Sequence, residues 1–233
     1  MKIAIISAME KELKDILKLL SNKEEVRVNN YTFYLSKDGK NDLILTVGGI
    51  GKVQTGMIMG TLFTNFNNID LVINLGVSGG IKEKVNPGDV VIGENYCFCD
   101  VDATFNAEFE YGQVPYLPKL YNSPIDYLNK IKSQKYDNVV FGDILTGDTF
   151  FTDKEAVDKI INKHFSDLNV CCMDMESCAF AEASYIYHAP FLAIRAISDV
   201  IGNDNQATEY YDYVLKACEK STLILMDILR KWA

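Results

Sequence analysis

The chain has 233 residues, 48% of them hydrophobic and 24% charged, with 23 Lys and Arg against 32 Asp and Glu for a formal charge of −9. This balance describes a soluble globular protein long enough to bury a sizeable core, and it excludes extensive disorder. An acidic chain whose arginines are Arg27, Arg195 and Arg230 lacks the basic footprint that phosphate backbones require, so nucleic acid is not an expected partner.

Residues 2–7 form a short apolar run that turns charged at Glu10 with neither a long apolar region nor a cleavage site, so no signal peptide is expected. No apolar stretch approaches the ~20 residues that span a bilayer, and a cytoplasmic, non-membrane protein is the expectation. After this first strand, Met9, Leu13, Ile16, Leu17 and Leu20 recur at helical spacing. Residues 31–35 and 42–47 read as a hairpin around Lys37-Asp38-Gly39-Lys40. Following Gly48-Gly49-Ile50-Gly51, residues 52–66 are apolar nearly all round, which predicts a helix buried in a core or a dimer interface.

Residues 71–75 predict a buried strand ending in the glycine turn Gly76-Val77-Ser78-Gly79-Gly80, and residues 89–92 another strand after Pro87-Gly88. Residues 99–121, rich in aromatics, Gly and Pro, read as a long loop of the kind that forms lids or interfaces. Strands are predicted over 139–145 and 170–175, with the capping box Thr152-Asp153-Lys154-Glu155 starting a helix between them. A helix over 177–187, a strand over 191–197 and a long amphipathic helix over 208–232 complete an α/β pattern.

The six cysteines, Cys97, Cys99, Cys171, Cys172, Cys178 and Cys218, have no disulfide-framework spacing and read as reduced, buried thiols. His164 and His188 fall outside any zinc-type spacing with them, so no metal site is expected.

Ligands of α/β sheets collect at the carboxyl ends of strands. Three carboxylates stand just after strand runs: Glu12, Glu176 and Asp199. Singly, each reads as a helix-start acid favoured by the macrodipole. Together, on parallel strands, they would share one rim, where two carboxylates flanking a bond can protonate a leaving group and activate water. Phe150 and Phe151, outside a regular element, could stack on a planar base. The two glycine loops match neither a dinucleotide fingerprint nor a Walker motif.

Six segments carry a resemblance: Ala8-Met9-Glu10-Lys11-Glu12, Gly49-Ile50-Gly51-Lys52, Asn74 through Gly80, Gly147-Asp148-Thr149-Phe150-Phe151, Met173-Asp174-Met175-Glu176 and Arg195-Ala196-Ile197-Ser198-Asp199. In order and spacing they resemble the 5'-methylthioadenosine/S-adenosylhomocysteine nucleosidase family. The resemblance implies the nucleoside phosphorylase-like α/β fold, a mixed central sheet flanked by helices, with residues 1–233 as a single nucleosidase domain. It also implies hydrolysis of the N-glycosidic bond of 5'-thio-substituted adenosines without metal or organic cofactor. Carried over by motif, Asp199 protonates adenine N7, Glu12 activates the attacking water, Glu176 binds the ribose hydroxyls and Met175 packs against the sugar. Phe150 stacks on adenine while the Phe151 backbone reads its edge, and Tyr210 takes the family's aromatic position over the substrate. Met9, Ile50, Ser78, Gly79, Arg195 and Ser198 join the expected substrate-binding set. Asp199 must be protonated when it acts, which calls for a pKa raised by burial or by a donor such as Ser198.

The resemblance further implies a homodimer in which the region around Phe105 and Pro115 lines the partner's 5'-substituent pocket. Two positions depart from the pattern. Val77 stands where many members carry Ser or Thr, leaving a hydroxyl contact to Ser78 or the backbone, and Phe151 replaces an aliphatic residue. Three rival readings follow from the same residues. One is a phosphorylase of the same fold, which needs a cationic clamp for phosphate. The second is a hydrolase of another adenine nucleoside such as 6-amino-6-deoxyfutalosine. The third is a nucleoside-binding protein without chemistry.

Overall fold

A computed structural model describes residues 1–232. Its elements run β1 (Lys2–Ser7), α1 (Glu10–Leu19), β2 (Lys23–Val28), β3 (Tyr31–Asp38), β4 (Asn41–Val47), α2 (Lys52–Asn65), β5 (Leu71–Gly80) and β6 (Val90–Phe98). They continue with β7 (Tyr121–Asn122), α3 (Ile125–Lys132), β8 (Val139–Thr146), α4 (Lys154–His164), β9 (Val170–Asp174), α5 (Ser177–Ile186), β10 (Phe191–Val200) and α6 (Gln206–Trp232). In β1 the period-two alternation of a strand covered on both faces is explicit. Ile3 and Ile5 enter a core with α1, α3 and α6, while Ala4 and Ile6 enter another with α2 and α5. A third cluster joins Val157 of α4 to Leu145, Met173 and Ile201. Helices therefore flank a mixed sheet, and no helix among the described residues is long and apolar enough to cross a membrane.

The strand order is β10-β6-β8-β9-β5-β1-β4-β3-β2, with β7 on β6 and a further pairing of β10 with β5. That last pairing closes β5, β10, β6, β8 and β9 into a ring, from which β1 to β4 extend as an open sheet. β1 and β10 both run parallel to β5, whereas β9 meets the end of β5 antiparallel, Gly79 opposite Met173. The expectation of one rim of parallel strands is thus corrected: Glu176 follows a strand that runs against β1, which leads into Glu12 on α1, and against β10, which carries Asp199.

Three further local readings change. The glycine stretch 76–80 is the second half of β5 rather than a turn, because β10 pairs along it as far as Gly80. Asp199 likewise lies within β10, at a register shift between Ile197 and Asp199. The cap of α4 is Asp153, whose Oδ1 accepts from Ala156 N at 3.0 Å, so the helix is capped one residue later than Thr152 and by a single contact rather than a capping box. In α2, Thr55, Ile58, Met59 and Leu62 are buried, while Val53 and Met57, one turn apart, are exposed in the single subunit. β2 and α3 have no counterpart in the sequence reading. All six cysteines are buried and free, and burial pushes the Cys97 thiol up to about 12.

Candidate active site

A cavity opens where the end of β5 meets the first turn of α1, the loop 147–151, the end of β9 and the bulge of β10. Every residue selected from the sequence lines it: Met9, Glu12, Ile50, Ser78, Gly79, Phe150, Phe151, Met175, Glu176, Arg195, Ser198, Asp199 and Tyr210. The four ionisable groups at its floor are almost wholly withdrawn from water, with Glu12 and Asp199 at 1% exposure, Arg195 at 2% and Glu176 at 3%.

Glu12 is fixed by backbone. Its Oε2 accepts from Met9 N at 2.8 Å and its Oε1 from Val77 N at 2.9 Å. The first contact closes the turn that begins α1, and the second pins the carboxylate to the middle of β5. Burial pushes its pKa up, while Arg195 and the backbone amides pull it back. Val77 therefore contributes an amide in place of a hydroxyl. Ser78 Oγ is buried without a hydrogen-bond partner.

Arg195 ties the floor together. Its Nη1 donates to Asn74 Oδ1 at 2.9 Å, its Nη2 to Val77 O and to Glu176 Oε2 at 3.2 Å, and its Nε faces Asp174 Oδ2 at 3.2 Å. Burial works against its charge, but Asp174, Glu176 and Glu12 outweigh that and hold its pKa above the ordinary value. Asp174 is itself gripped by Thr146 Oγ1, Ser177 N and the Ser177 hydroxyl. Burial lifts the Glu176 carboxyl to about 7 despite Arg195. Its Oε1 accepts from Gly51 N at 3.0 Å, a contact that requires φ of +91° at residue 51, which glycine adopts at little cost. Gly76 is required for space: a Cβ there would lie 2.5 Å from Arg195 Nη1 and 2.6 Å from Glu12 Oε1.

Asp199 stands apart from this cluster. Ser198 Oγ donates to its Oδ1 at 2.6 Å and Gln206 Nε2 to its Oδ2 at 2.8 Å. Burial raises its pKa, and both donors lower it. Of the two causes expected from the sequence, burial holds and the Ser198 donor acts in the opposite sense, because a hydroxyl bond stabilises the charged form. Gln206 also donates to Phe151 O at 2.8 Å, so the first residue of α6 connects Asp199 to the aromatic loop. Phe150 is half-exposed and meets the Tyr210 ring edge-on at 5.6 Å.

Asn74, Asp174 and Gln206 were not singled out as site residues. Asn74 and Asp174 lie inside motifs already quoted, and a polar residue within an apolar strand run is the signal they offer. Gln206 offers none. At the rim, Lys52 Nζ pairs with Asp100 at 2.7 Å, and Asp148 Oδ1 accepts from Lys52 N at 2.8 Å, bracing the start of α2 against the loop that carries Phe150.

Comparison with known proteins gives the same placement for the whole chain. Residues 2–230 match the family model described as the phosphorylase superfamily. A 5'-methylthioadenosine/S-adenosylhomocysteine nucleosidase of Geobacillus sp. is 36% identical over 99% of this chain and 100% of its own. The S-adenosylhomocysteine nucleosidase of Streptococcus pyogenes, solved in complex with 5-methylthiotubericidin, superposes with a TM-score of 0.92 at 32% identity over 100% of this chain and 98% of that one. The 5'-methylthioadenosine/S-adenosylhomocysteine nucleosidase of S. pneumoniae, solved with the transition-state inhibitor MT-ImmA, gives 0.93 at 30% identity over the full length of both.

Proposed function

The chain belongs to the phosphorylase superfamily and, within it, to the 5'-methylthioadenosine/S-adenosylhomocysteine nucleosidases, and we propose that Glu12 and Asp199 carry the hydrolysis of its 5'-thio-substituted adenosine substrates. The observation that supports this reading most is the contrast between the two carboxyl groups in one cavity. Burial raises the pKa of both, but at Glu12 two amides and the Arg195 guanidinium pull toward the ionised form that a base needs. Asp199, away from any cation contact, is raised by burial and suited to carry a proton.

In the reaction, Asp199 gives its proton to N7 as the C1'–N9 bond breaks and its electron pair passes into the base. The sugar carbon becomes oxocarbenium-like, and a water that surrenders a proton to Glu12 forms the new C1'–O bond. Adenine and the thioribose are the products. Glu176 binds the ribose hydroxyls, Met175 packs on the sugar, Ser78 supplies the unpartnered hydroxyl, and Phe150, Phe151 and Tyr210 hold the base and its surroundings. No metal or organic cofactor takes part in this scheme. Phosphorolysis is disfavoured because Arg195, the one arginine in the cavity, already serves Asn74, Val77, Glu176 and Asp174.

The protein acts in the cytoplasm as a homodimer. Val53 and Met57 on α2, Ile50 at the pocket edge and Phe105 in the loop 99–120 are exposed apolar side chains that a second subunit would cover, with the partner's loop completing the 5'-substituent pocket. A monomer by light scattering would sink that part of the proposal. The chemistry is tested by adenine release from S-adenosylhomocysteine and methylthioadenosine with and without phosphate. Release independent of phosphate and lost in Glu12→Gln supports hydrolysis by this scheme, whereas strict dependence on phosphate overturns it.

A further inference from the structure

One charged residue beside the pocket, outside its lining but bonded to a residue that lines it, has no part in this scheme. Lys11 lies in the first turn of α1, between Glu10 and the buried Glu12, where a cation opposes the helix macrodipole. It is half-buried, and it forms no ion pair with a carboxylate among the described residues. Its ammonium instead donates to Tyr210 Oη at 2.8 Å and stands 4.7 Å from the centre of that ring. Tyr210 Oη has only Met9 Sδ, at 3.9 Å, to receive its own proton, and a thioether is a weak acceptor. Two donors, an ammonium with spare N–H groups and a phenol without a strong acceptor, therefore meet beside Met9 and Tyr210, which line the pocket.

The position of this pair on the pocket gives it a ligand. The base end is bounded by Asp199 and Phe151, and the sugar by Glu12 and Glu176. What remains, between Met9, Ile50 and Tyr210, is the edge at which a 5'-substituent leaves the cavity. We infer that Lys11 and Tyr210 form a carboxylate-recognition site there, favouring adenosines whose 5'-substituent ends in a carboxylate over those ending in an uncharged thioether. This rests on the nucleosidase reading above. In a chain of net charge −9 an unneutralised lysine beside the exit is the element that offers a carboxylate a cationic partner. The amino-acid tail of S-adenosylhomocysteine and the benzoate of 6-amino-6-deoxyfutalosine share the required group; methylthioadenosine lacks it.

The test compares kcat/KM and binding for four ligands: methylthioadenosine, S-adenosylhomocysteine, its analogue with an aminopropyl tail and no carboxylate, and 6-amino-6-deoxyfutalosine. Each is measured on the wild-type protein and on Lys11→Met, Lys11→Arg and Lys11→Glu. The S-adenosylhomocysteine to methylthioadenosine ratio of kcat/KM is expected to fall about tenfold in Lys11→Met, the value of one partly exposed charge-assisted hydrogen bond. The loss falls on KM rather than kcat, deepens in Lys11→Glu and is largely restored in Lys11→Arg. The wild-type ratio declines with added salt, and that of Lys11→Met does not. A tenfold effect on S-adenosylhomocysteine but not on the futalosine compound identifies the amino-acid tail as the ligand, and the converse identifies the benzoate. An equal change for methylthioadenosine and both carboxylates, or for the aminopropyl analogue, overturns the proposal. If the wild-type protein releases adenine from none of the four, the nucleosidase reading fails, and the binding ratios still decide the role of Lys11.

Discussion

Replacing Arg195 with Met removes the one positive charge held among Glu12, Asp174 and Glu176. Arg195 Nη1 and Glu12 Oε1 lie 2.5 and 2.6 Å from the same point, the place of a Cβ on Gly76. They are therefore no more than about 5 Å apart, and at an effective dielectric constant of about 20 the pair is worth about 3 kcal/mol. Burial already pushes the Glu12 carboxyl up, and Arg195 leads the groups that hold it down. Without the guanidinium, the Glu12 pKa rises further and its ionised fraction near neutral pH falls, by at most about the hundredfold that 3 kcal/mol represents. A base must be ionised to act, so kcat/KM for adenine release should drop near pH 7 by as much as that factor. The acidic limb of the profile should move to higher pH, and raising the pH should recover much of the loss. Arg195→Lys, which keeps the charge and loses the planar fork, should fall between the two. The assay is the pH profile of adenine release, with thermal melting to confirm folding of each variant. A drop of equal size at every pH, with the acidic limb unmoved, would refute the electrostatic argument and leave Arg195 a role in shaping the cavity only.

Two further outcomes follow from the same geometry. Gly76→Ala places a methyl between Arg195 Nη1 and Glu12 Oε1. It should lower kcat on the order of a hundredfold through displacement of the carboxylate while thermal melting still reports a folded protein; near-wild-type kcat would show that both side chains can retreat without consequence. The Glu176 pKa of about 7 lies above its ordinary 4.5, so between these values the folded chain keeps a proton that the unfolded chain has released. Its contribution to stability is complete below pH 4.5, declines as pH rises to about 7 and then levels. Melting temperatures of the wild-type protein relative to Glu176→Gln should trace that decline, and a difference that is constant with pH would contradict it.

How far the sequence discloses this molecule depends on whether a feature is local. β1, β8, α5 and α6 announce themselves because their apolar period is theirs alone. β2 does not: Lys23-Glu24-Glu25-Val26-Arg27-Val28 is an edge strand with little buried surface, and its extended form comes from pairing with β3. α3, eight residues behind Pro124, is too short for periodicity to declare. The glycine stretch 76–80 misleads for a more instructive reason. Missing side chains read locally as a turn, yet here they belong to a strand whose partner, β10, lies more than a hundred residues onward, and what they make room for is the buried charge of Arg195 and Glu12. The same division runs through the site. Glu12, Glu176 and Asp199 are conspicuous because each follows an apolar strand run, and the family motif points to Arg195 as well. The groups that set their protonation are silent: Val77 and Met9 act through backbone amides, which any residue but proline could supply, and Gln206 acts from a helix start with no pattern to mark it. Carboxyl groups can therefore be located by reading along the chain, but which of them carries the proton is decided by β5, β10 and α6 meeting in space.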